Sequence, residues 1–288
     1  MVTFTLNGKT LASRANQTIL QIAEDHGIEI PRLCYMEGMR ADGNCRTCMV
    51  EIKGERVLAP SCCRYPKDGM EVTTNSARAI TSQKMSIELL LSDIPETSYT
   101  LNSELHLWAG KLGIGKPRFR SRPQPSEDLS HPAIDVHLDA CIQCKRCVRA
   151  CREEQVNDVI GYAFRGGHSK IVFDLDDPMG ESTCVACGEC VQACPTGALT
   201  PARGVATLAP QKTVDSVCPY CGVGCLLTYH VKDNRILFVQ GKDGPANSSR
   251  LCVKGRYGFD YVQHRHRLTK PLIRKPGVPK HKDFTVDP

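Results

Sequence analysis

The sequence predicts an α+β chain built from several small modules, each organised by metal ligands more than by a large apolar core. Three observations predict this. Seventeen cysteines occur in 288 residues. They fall into four groups: Cys34, Cys45, Cys48, Cys62 and Cys63; Cys141, Cys144, Cys147 and Cys151; Cys184, Cys187, Cys190 and Cys194; and Cys218, Cys221, Cys225 and Cys252, with none between residues 64 and 140. Short strand-like and short helix-like stretches alternate between the groups, as in small mixed domains.

The elements follow in order. Val2–Leu6 alternates like a strand, Asn7-Gly8 is a hairpin turn signal, and Leu11–Ser13 returns. Thr18 is placed to cap a helix through Ile19, Leu20, Ile22 and Ala23 that Gly27 ends. Met49–Ile52 and Met70–Val72 read as strands. Residues 77 to about 95 have helical spacing and stop before Pro95, and residues 110–133, rich in Gly, Pro, Arg and Ser, read as a connector. Lys170–Phe173 is a strand between two copies of an internal repeat. Leu226–Val231 and Arg235–Val239 form a strand pair around Lys232-Asp233-Asn234. The stretch from Pro271 is basic and Pro-rich and reads as an unfinished connection.

Composition excludes several classes. Hydrophobic residues at 41% and charged residues at 24% are ordinary globular usage. No run approaches the length of a membrane span, so no transmembrane helix is expected. The N-terminus lacks a basic region followed by an apolar core, so a cytoplasmic chain is expected, and metal explains the cysteines better than disulfides do. The net charge of +6 is not read as a nucleic-acid footprint. Four thiolate-bound clusters at about −2 each more than cancel it, and aromatics at 6% offer little for base stacking.

The strongest motif is C-x2-C-x2-C-x3-C. It occurs at Cys141–Cys151 and again 43 residues later at Cys184–Cys194, followed there by Pro195. Three close thiolates wrap one face of a four-iron cubane, and the fourth ligates the other cluster. One 4Fe-4S cluster is therefore expected on Cys141, Cys144, Cys147 and Cys194, and another on Cys184, Cys187, Cys190 and Cys151. Arg152 stands where the first copy lacks the proline, which shapes the turn and is not a ligand. Zinc is the alternative, but a tetrahedral site wants two cysteine pairs rather than four cysteines per run. The first group spaces as C-x10-C-x2-C-x13-C if Cys62 closes it, with Cys63 competing for that place; the loser is a small buried thiol. Asp42-Gly43-Asn44 supplies a loop whose amides can reach cluster sulfurs. The fourth group is C-x2-C-x3-C, closed by Cys252 after 26 intervening residues, and Lys254 stands two residues beyond. Lys254 reads either as a solvated lysine or as a cation that biases a cluster.

Over essentially the whole chain, the module order and local strings resemble the N-terminal electron-transfer part of the alpha subunit of NAD-dependent, molybdenum- or tungsten-containing formate dehydrogenases. The strings are Ala59-Pro60-Ser61-Cys62, Cys184-Val185-Ala186-Cys187-Gly188-Glu189-Cys190 and Cys218-Pro219-Tyr220-Cys221-Gly222-Val223-Gly224-Cys225. The resemblance implies a β-grasp two-iron ferredoxin domain over residues 1–76 and a helix and connector over 77–133. A ferredoxin domain with two four-iron clusters follows over 134–210. A small β-rich four-iron domain that opens a molybdopterin oxidoreductase spans 211–270, with a truncated tail over 271–288. It implies one 2Fe-2S cluster on Cys34, Cys45, Cys48 and Cys62, the last chosen by alignment to the Gly69-Met70 turn, and a third 4Fe-4S cluster on Cys218, Cys221, Cys225 and Cys252. Lys254 would lie between that cluster and a pterin as an electron relay. The implied partners are a flavin- and NAD-binding diaphorase subunit and a molybdopterin catalytic domain, in the same gene or another chain. That domain carries molybdenum or tungsten on a bis-pterin guanine dinucleotide. The relay would take electrons from formate to NAD, and the 288-residue chain alone is expected to lack the formate-oxidising site, as a fragment or a separate subunit.

Related complex I and hydrogenase subunits carry a further cluster on H-x3-C-x2-C-x5-C. Here His106 keeps the histidine place while Gly110, Gly113 and Phe119 take the cysteine places, so His106 is expected to be an ordinary helix residue. An electron-transfer subunit of a complex I-like or NAD-linked hydrogenase complex is the first alternative, and a non-redox zinc-binding protein the second.

Overall fold

The structure, a computed structural model, describes residues 2–14 and 16–278. The remainder of the Pro-rich basic stretch, past residue 278, lies outside the described residues. The chain forms two compact units, one up to Ala209 and one from Pro210.

The first unit begins with β1 (Val2–Leu6) and β2 (Lys9–Ser13), an antiparallel hairpin. Its two turn residues, Asn7 and Gly8, have φ of 52° and 80°, the left-handed pair that a tight hairpin turn needs. Helix α1 (Ile19–Asp25) starts at Thr18, which makes a capping box with Gln21. The later strands β3 (Met49–Ile52), β4 (Ala59–Pro60) and β5 (Glu71–Thr73) complete a five-stranded sheet in the order β2-β1-β5-β3-β4, with β1 and β5 parallel at its centre. Phe4, Leu6, Ile19, Leu20, Ile22, Val50 and Val72 are buried between α1 and this sheet.

Helices α2 (Ala77–Leu91) and α3 (Glu104–Lys111) follow. The sequence places a helix over 77–95 and a connector over 110–133. Ile87 of α2 and Leu105 and Ala109 of α3 share one buried cluster with Leu33 and Cys34 from the first module and Ile142 and Cys144 from the third. The three stretches therefore pack as one unit. Each is too small to bury enough apolar surface by itself, and the helices supply the missing layer.

The third stretch holds β6 (Ile134–Val136), α4 (Arg146–Arg149), β7 (Ile160–Ala163), β8 (Lys170–Phe173), α5 (Glu189–Ala193) and β9 (Leu199–Pro201). β7 and β8 form a hairpin, and β6 pairs with β9, which closes the segment on itself. After α4 the backbone widens into a π-helical turn over Ala150–Glu154.

The second unit is an antiparallel sheet of β10 (Lys212–Val217), β11 (Leu226–Lys232) and β12 (Arg235–Gly241), followed by the short helix α6 (Val253–Tyr257). Asp233 and Asn234, at φ of 48° and 59°, make the β11–β12 turn. Its buried core is Leu227, Val239 and Leu251, with Cys218, Cys225, Ile236 and Phe259 half-buried against it. Among the described residues, no helix is long and apolar enough to cross a membrane.

Candidate metal centres

The first group of cysteines is assembled by the loop after α1 and by the β3–β4 pair. Cys48 lies just before β3, and its carbonyl accepts from the Ser61 amide at 3.0 Å and the Ser61 hydroxyl at 2.9 Å. That clamp sets Cys62 beside Cys48. Hydrogen bonds from Cys45 and then Cys62 draw the Cys34 thiol down to about 2, against the opposing effect of burial and with help from the Cys45 and Asn44 amides. Cys62 likewise draws Cys48 down to about 7. Cys45 and Cys62 move the other way, raised above the ordinary thiol range chiefly by their bonds to Cys34. The four thiols are thus linked by hydrogen bonds, Cys34 to Cys45 and Cys62, and Cys62 to Cys48, and the thiolate is the form that binds iron. The Asn44 amide on Cys34 is the loop contact that the Asp42-Gly43-Asn44 string suggested.

Cys63 sits differently. Its sulfur is 3.6 Å from that of Cys62, but the residue is exposed and lies over Gly43. A Cβ on Gly43 would come within 2.8 Å of the Cys63 sulfur, and Gly43 holds φ of +63°. Glycine is required there on both counts.

The two repeat copies fold alike. Gln143 and Lys145 have φ of 56° and 58°, and their counterparts Ala186 and Gly188 have 54° and 73°. Left-handed residues on both sides of the middle cysteine curl each loop around its thiols. Amide bonds repeat at the same positions. The Gln143 amide bonds Cys141 and the Ala186 amide bonds Cys184 at 3.3 Å; the Arg146 amide bonds Cys144 and the Glu189 amide bonds Cys187. Such N–H···S contacts stabilise thiolate charge and tune a cluster.

The structure also mixes the copies. Burial pushes Cys141 up to about 11 and Cys144 up to about 12 and holds Cys147 well above the ordinary thiol range, and repulsion from Cys194 adds to all three. Cys194 therefore lies with the first triplet. Cys151 lies with the second: burial raises Cys184 and Cys187, and repulsion from Cys151 adds to both. Cys151, Cys184, Cys187 and Cys190 line one pocket with Asn157, Val159, Ile160, Val185 and Gly188.

In the second unit, Cys218 and Cys225 face each other across the start of β11, where the Cys218 amide donates to the Cys225 carbonyl at 2.8 Å. Burial raises Cys225, followed by repulsion from Cys218, Cys221 and Cys252, so these four also converge. Cys221 and Cys252 are exposed. Lys254, in α6, is exposed too. His106 lies in α3 with its ring Nδ1 2.8 Å from the Ser103 hydroxyl.

The donor sets fit clusters. Each expected site has four thiols brought together, and all seventeen cysteines are free of disulfides. Among the described residues no three His, Cys, Asp or Glu side chains are grouped to hold a single metal ion.

Two buried arginines escaped sequence reasoning. Arg146 and Arg149, on α4 between ligand positions, are each 3% exposed. Arg146 forms a two-pronged ion pair with Glu104 of α3, at 2.6 and 2.8 Å, and also donates to the Tyr35 carbonyl. The one available signal was a pair of arginines inside a cysteine motif, and a charged residue there is ordinarily exposed.

Comparison with known proteins agrees with this geometry. Residues 1–77 match the 2Fe-2S iron-sulfur cluster binding domain, residues 140–198 the 4Fe-4S dicluster domain, and residues 211–264 the molybdopterin oxidoreductase Fe4S4 domain. The chain is 35% identical over 288 residues to an NADH-quinone oxidoreductase subunit of Rhizobium meliloti, covering 96% of this chain and 33% of that protein. It is 29% identical over 319 residues to a putative formate dehydrogenase of Staphylococcus haemolyticus, covering 95% and 32%. A chain in the crystal structure of an NAD+-reducing nickel–iron hydrogenase superposes with a TM-score of 0.65 at 27% identity, covering 70% of this chain and 88% of that one. The chain spans about a third of the length of the curated relatives it matches. In chain order it carries regions matching a 2Fe-2S cluster binding domain, a 4Fe-4S dicluster domain and a molybdopterin oxidoreductase Fe4S4 domain.

Proposed function

We propose that this chain is the iron–sulfur relay of a cytoplasmic, NAD-dependent formate dehydrogenase. The carrying observation is the order of the matched domains: a molybdopterin-type four-iron domain at one end of the sequence and a two-iron domain at the other, with the dicluster domain between them. The ligands are Cys34, Cys45, Cys48 and Cys62 for the 2Fe-2S cluster. The three 4Fe-4S clusters take Cys141, Cys144, Cys147 and Cys194; Cys184, Cys187, Cys190 and Cys151; and Cys218, Cys221, Cys225 and Cys252. Bound clusters supply one-electron carriers. The chain's own cysteines would hold them, and in the first unit the amides of Asn44, Gln143, Arg146, Ala186 and Glu189 would donate to their sulfurs. Electrons would enter from a molybdenum or tungsten bis-pterin site and leave toward a flavin- and NAD-binding subunit.

A second reading has support of its own. The quinone-linked relative and the hydrogenase structure fit an electron-transfer subunit of a complex I-like or NAD-linked hydrogenase complex. Purification of the intact complex and assay of NAD reduction with formate and with hydrogen separates the two. Formate-dependent NADH formation is expected, and hydrogen-dependent formation without it overturns the formate reading.

Lys254 provides a local check. As an exposed residue it should contribute little to stability, so Lys254→Ala should stay within about 0.5 kcal/mol of the parent. If Lys254 relays electrons to a pterin, removing its charge disfavours the reduced, more negative cluster. The potential of the cluster on Cys218, Cys221, Cys225 and Cys252 then falls, and formate-to-NAD turnover slows. NADH oxidation by a dye at the flavin end stays unchanged. An unmoved potential with unmoved turnover returns Lys254 to the solvated surface.

A further inference from the structure

Arg149 lies on α4 between Cys147 and Cys151, buried to 3% exposure. Its guanidinium donates to four main-chain carbonyls: Cys34 at 2.5 Å, Cys144 at 3.3 Å, Lys145 at 3.3 Å, and Arg40. One nitrogen, Nη2, serves both Cys34 and Cys144. Cys34 is a ligand of the two-iron site and Cys144 a ligand of the first four-iron site, so a single guanidinium fork ties the two ligand loops together. From the two-iron side, the Asn44 side-chain amide reaches the same Cys144 carbonyl at 3.4 Å and the Gln143 carbonyl at 3.5 Å.

The charge balance at Arg149 differs from that of its neighbour. Arg146, three residues earlier, is buried equally and is met by the Glu104 carboxylate. The hydrogen-bond partners of Arg149 among the described residues are all carbonyls, with no carboxylate among them. A buried cation without a counter-charge is strongly disfavoured. Thiolate-bound clusters carry net negative charge, and here one would lie on either side of the guanidinium.

We propose that Arg149 is the shared counter-cation and spacer of the two-iron cluster and the first four-iron cluster. It holds the Cys34 and Cys144 loops at a fixed separation and favours the reduced state of both clusters. The step it serves moves one electron from one cluster to the other, and no bond forms or breaks. Arg149 is a positioning residue, and the proposal rests on the ligand assignment above.

The test uses the full chain with its clusters, as the parent and as Arg149→Met, Arg149→Gln and Arg149→Lys. Iron is counted, and each cluster is followed by EPR through a redox titration. In the two neutral variants the reduced-to-oxidised ratio of both clusters at a fixed potential should fall about tenfold, equivalent to about 59 mV for one electron. Arg149→Lys, which keeps the charge but not the guanidinium fork, should load both sites and lower both ratios less than the neutral variants do. Neutral variants that fail to load both sites while the lysine variant loads them also support the proposal, because charge is then what loading requires. Loaded neutral variants with both potentials unmoved overturn it. So does failure of the lysine variant to load, which would leave Arg149 a purely structural residue. Absence of the two-iron and four-iron signals from the parent strikes instead at the ligand assignment.

Discussion

Cys194→Ser is expected to empty the four-iron site of Cys141, Cys144 and Cys147, in the other copy of the repeat, and to leave the site of Cys184, Cys187 and Cys190 loaded. Cys151→Ser should do the reverse. The expectation follows from how the chain delivers these residues. Cys194 leaves α5 in an extended conformation, and the next turn is pinned back on the first copy by the Thr196 hydroxyl donating to the Ala140 carbonyl at 2.7 Å. Cys151 sits in the π-helical turn, its carbonyl accepting from the Asn157 amide at 3.0 Å, and faces the pocket lined by the second triplet. A serine oxygen is a hard, poor substitute for a thiolate on iron. Each variant should lose about four of about fourteen iron atoms per chain or drop one cluster to a three-iron form. Iron analysis with EPR identifies which site is lost. Loss of the cluster in the variant's own copy would show that each run closes its own site.

The second large effect separates two adjacent cysteines. Cys62→Ser should abolish the two-iron EPR signal, and Cys63→Ser should leave it. Cys62 is fully buried and shares hydrogen bonds with Cys34 and Cys48, whereas Cys63 is exposed over Gly43. The two sulfurs are only 3.6 Å apart, so the spectrum of Cys63→Ser should keep its intensity while its line shape responds to the lost neighbour. A signal that disappears in the Cys63 variant and persists in the Cys62 variant reverses the assignment.

What the sequence disclosed, and what it hid, has a physical pattern. Local signals were legible. Asn7-Gly8 made the turn, Thr18 made the cap, Met49–Ile52 and Lys170–Phe173 formed strands with those bounds, and α2 occupied most of the expected 77–95 helix. The cysteine spacing predicts a fourth ligand from the other run, because three close ligands cannot satisfy a cubane. Long-range features were not legible. β10 is exposed along its whole length, so it carries no buried-face alternation for a reader to find. β6 and β9 are three residues each and pair across more than sixty residues of chain. The role of α2 and α3 as a packing layer depends on Leu33 and Ile142 arriving from either side. Arg146 and Arg149 became buried only because Glu104, Tyr35, Cys34 and Arg40, all distant in sequence, supply their partners.

The cysteine quartets are expected to hold redox-active clusters. Iron and acid-labile sulfide analysis of the anaerobically purified chain, with its absorption spectrum before and after dithionite, tests this most directly. About fourteen iron atoms per chain, matching sulfide and a brown colour that bleaches on reduction are expected. A colourless protein that carries stoichiometric zinc and no labile sulfide would contradict it.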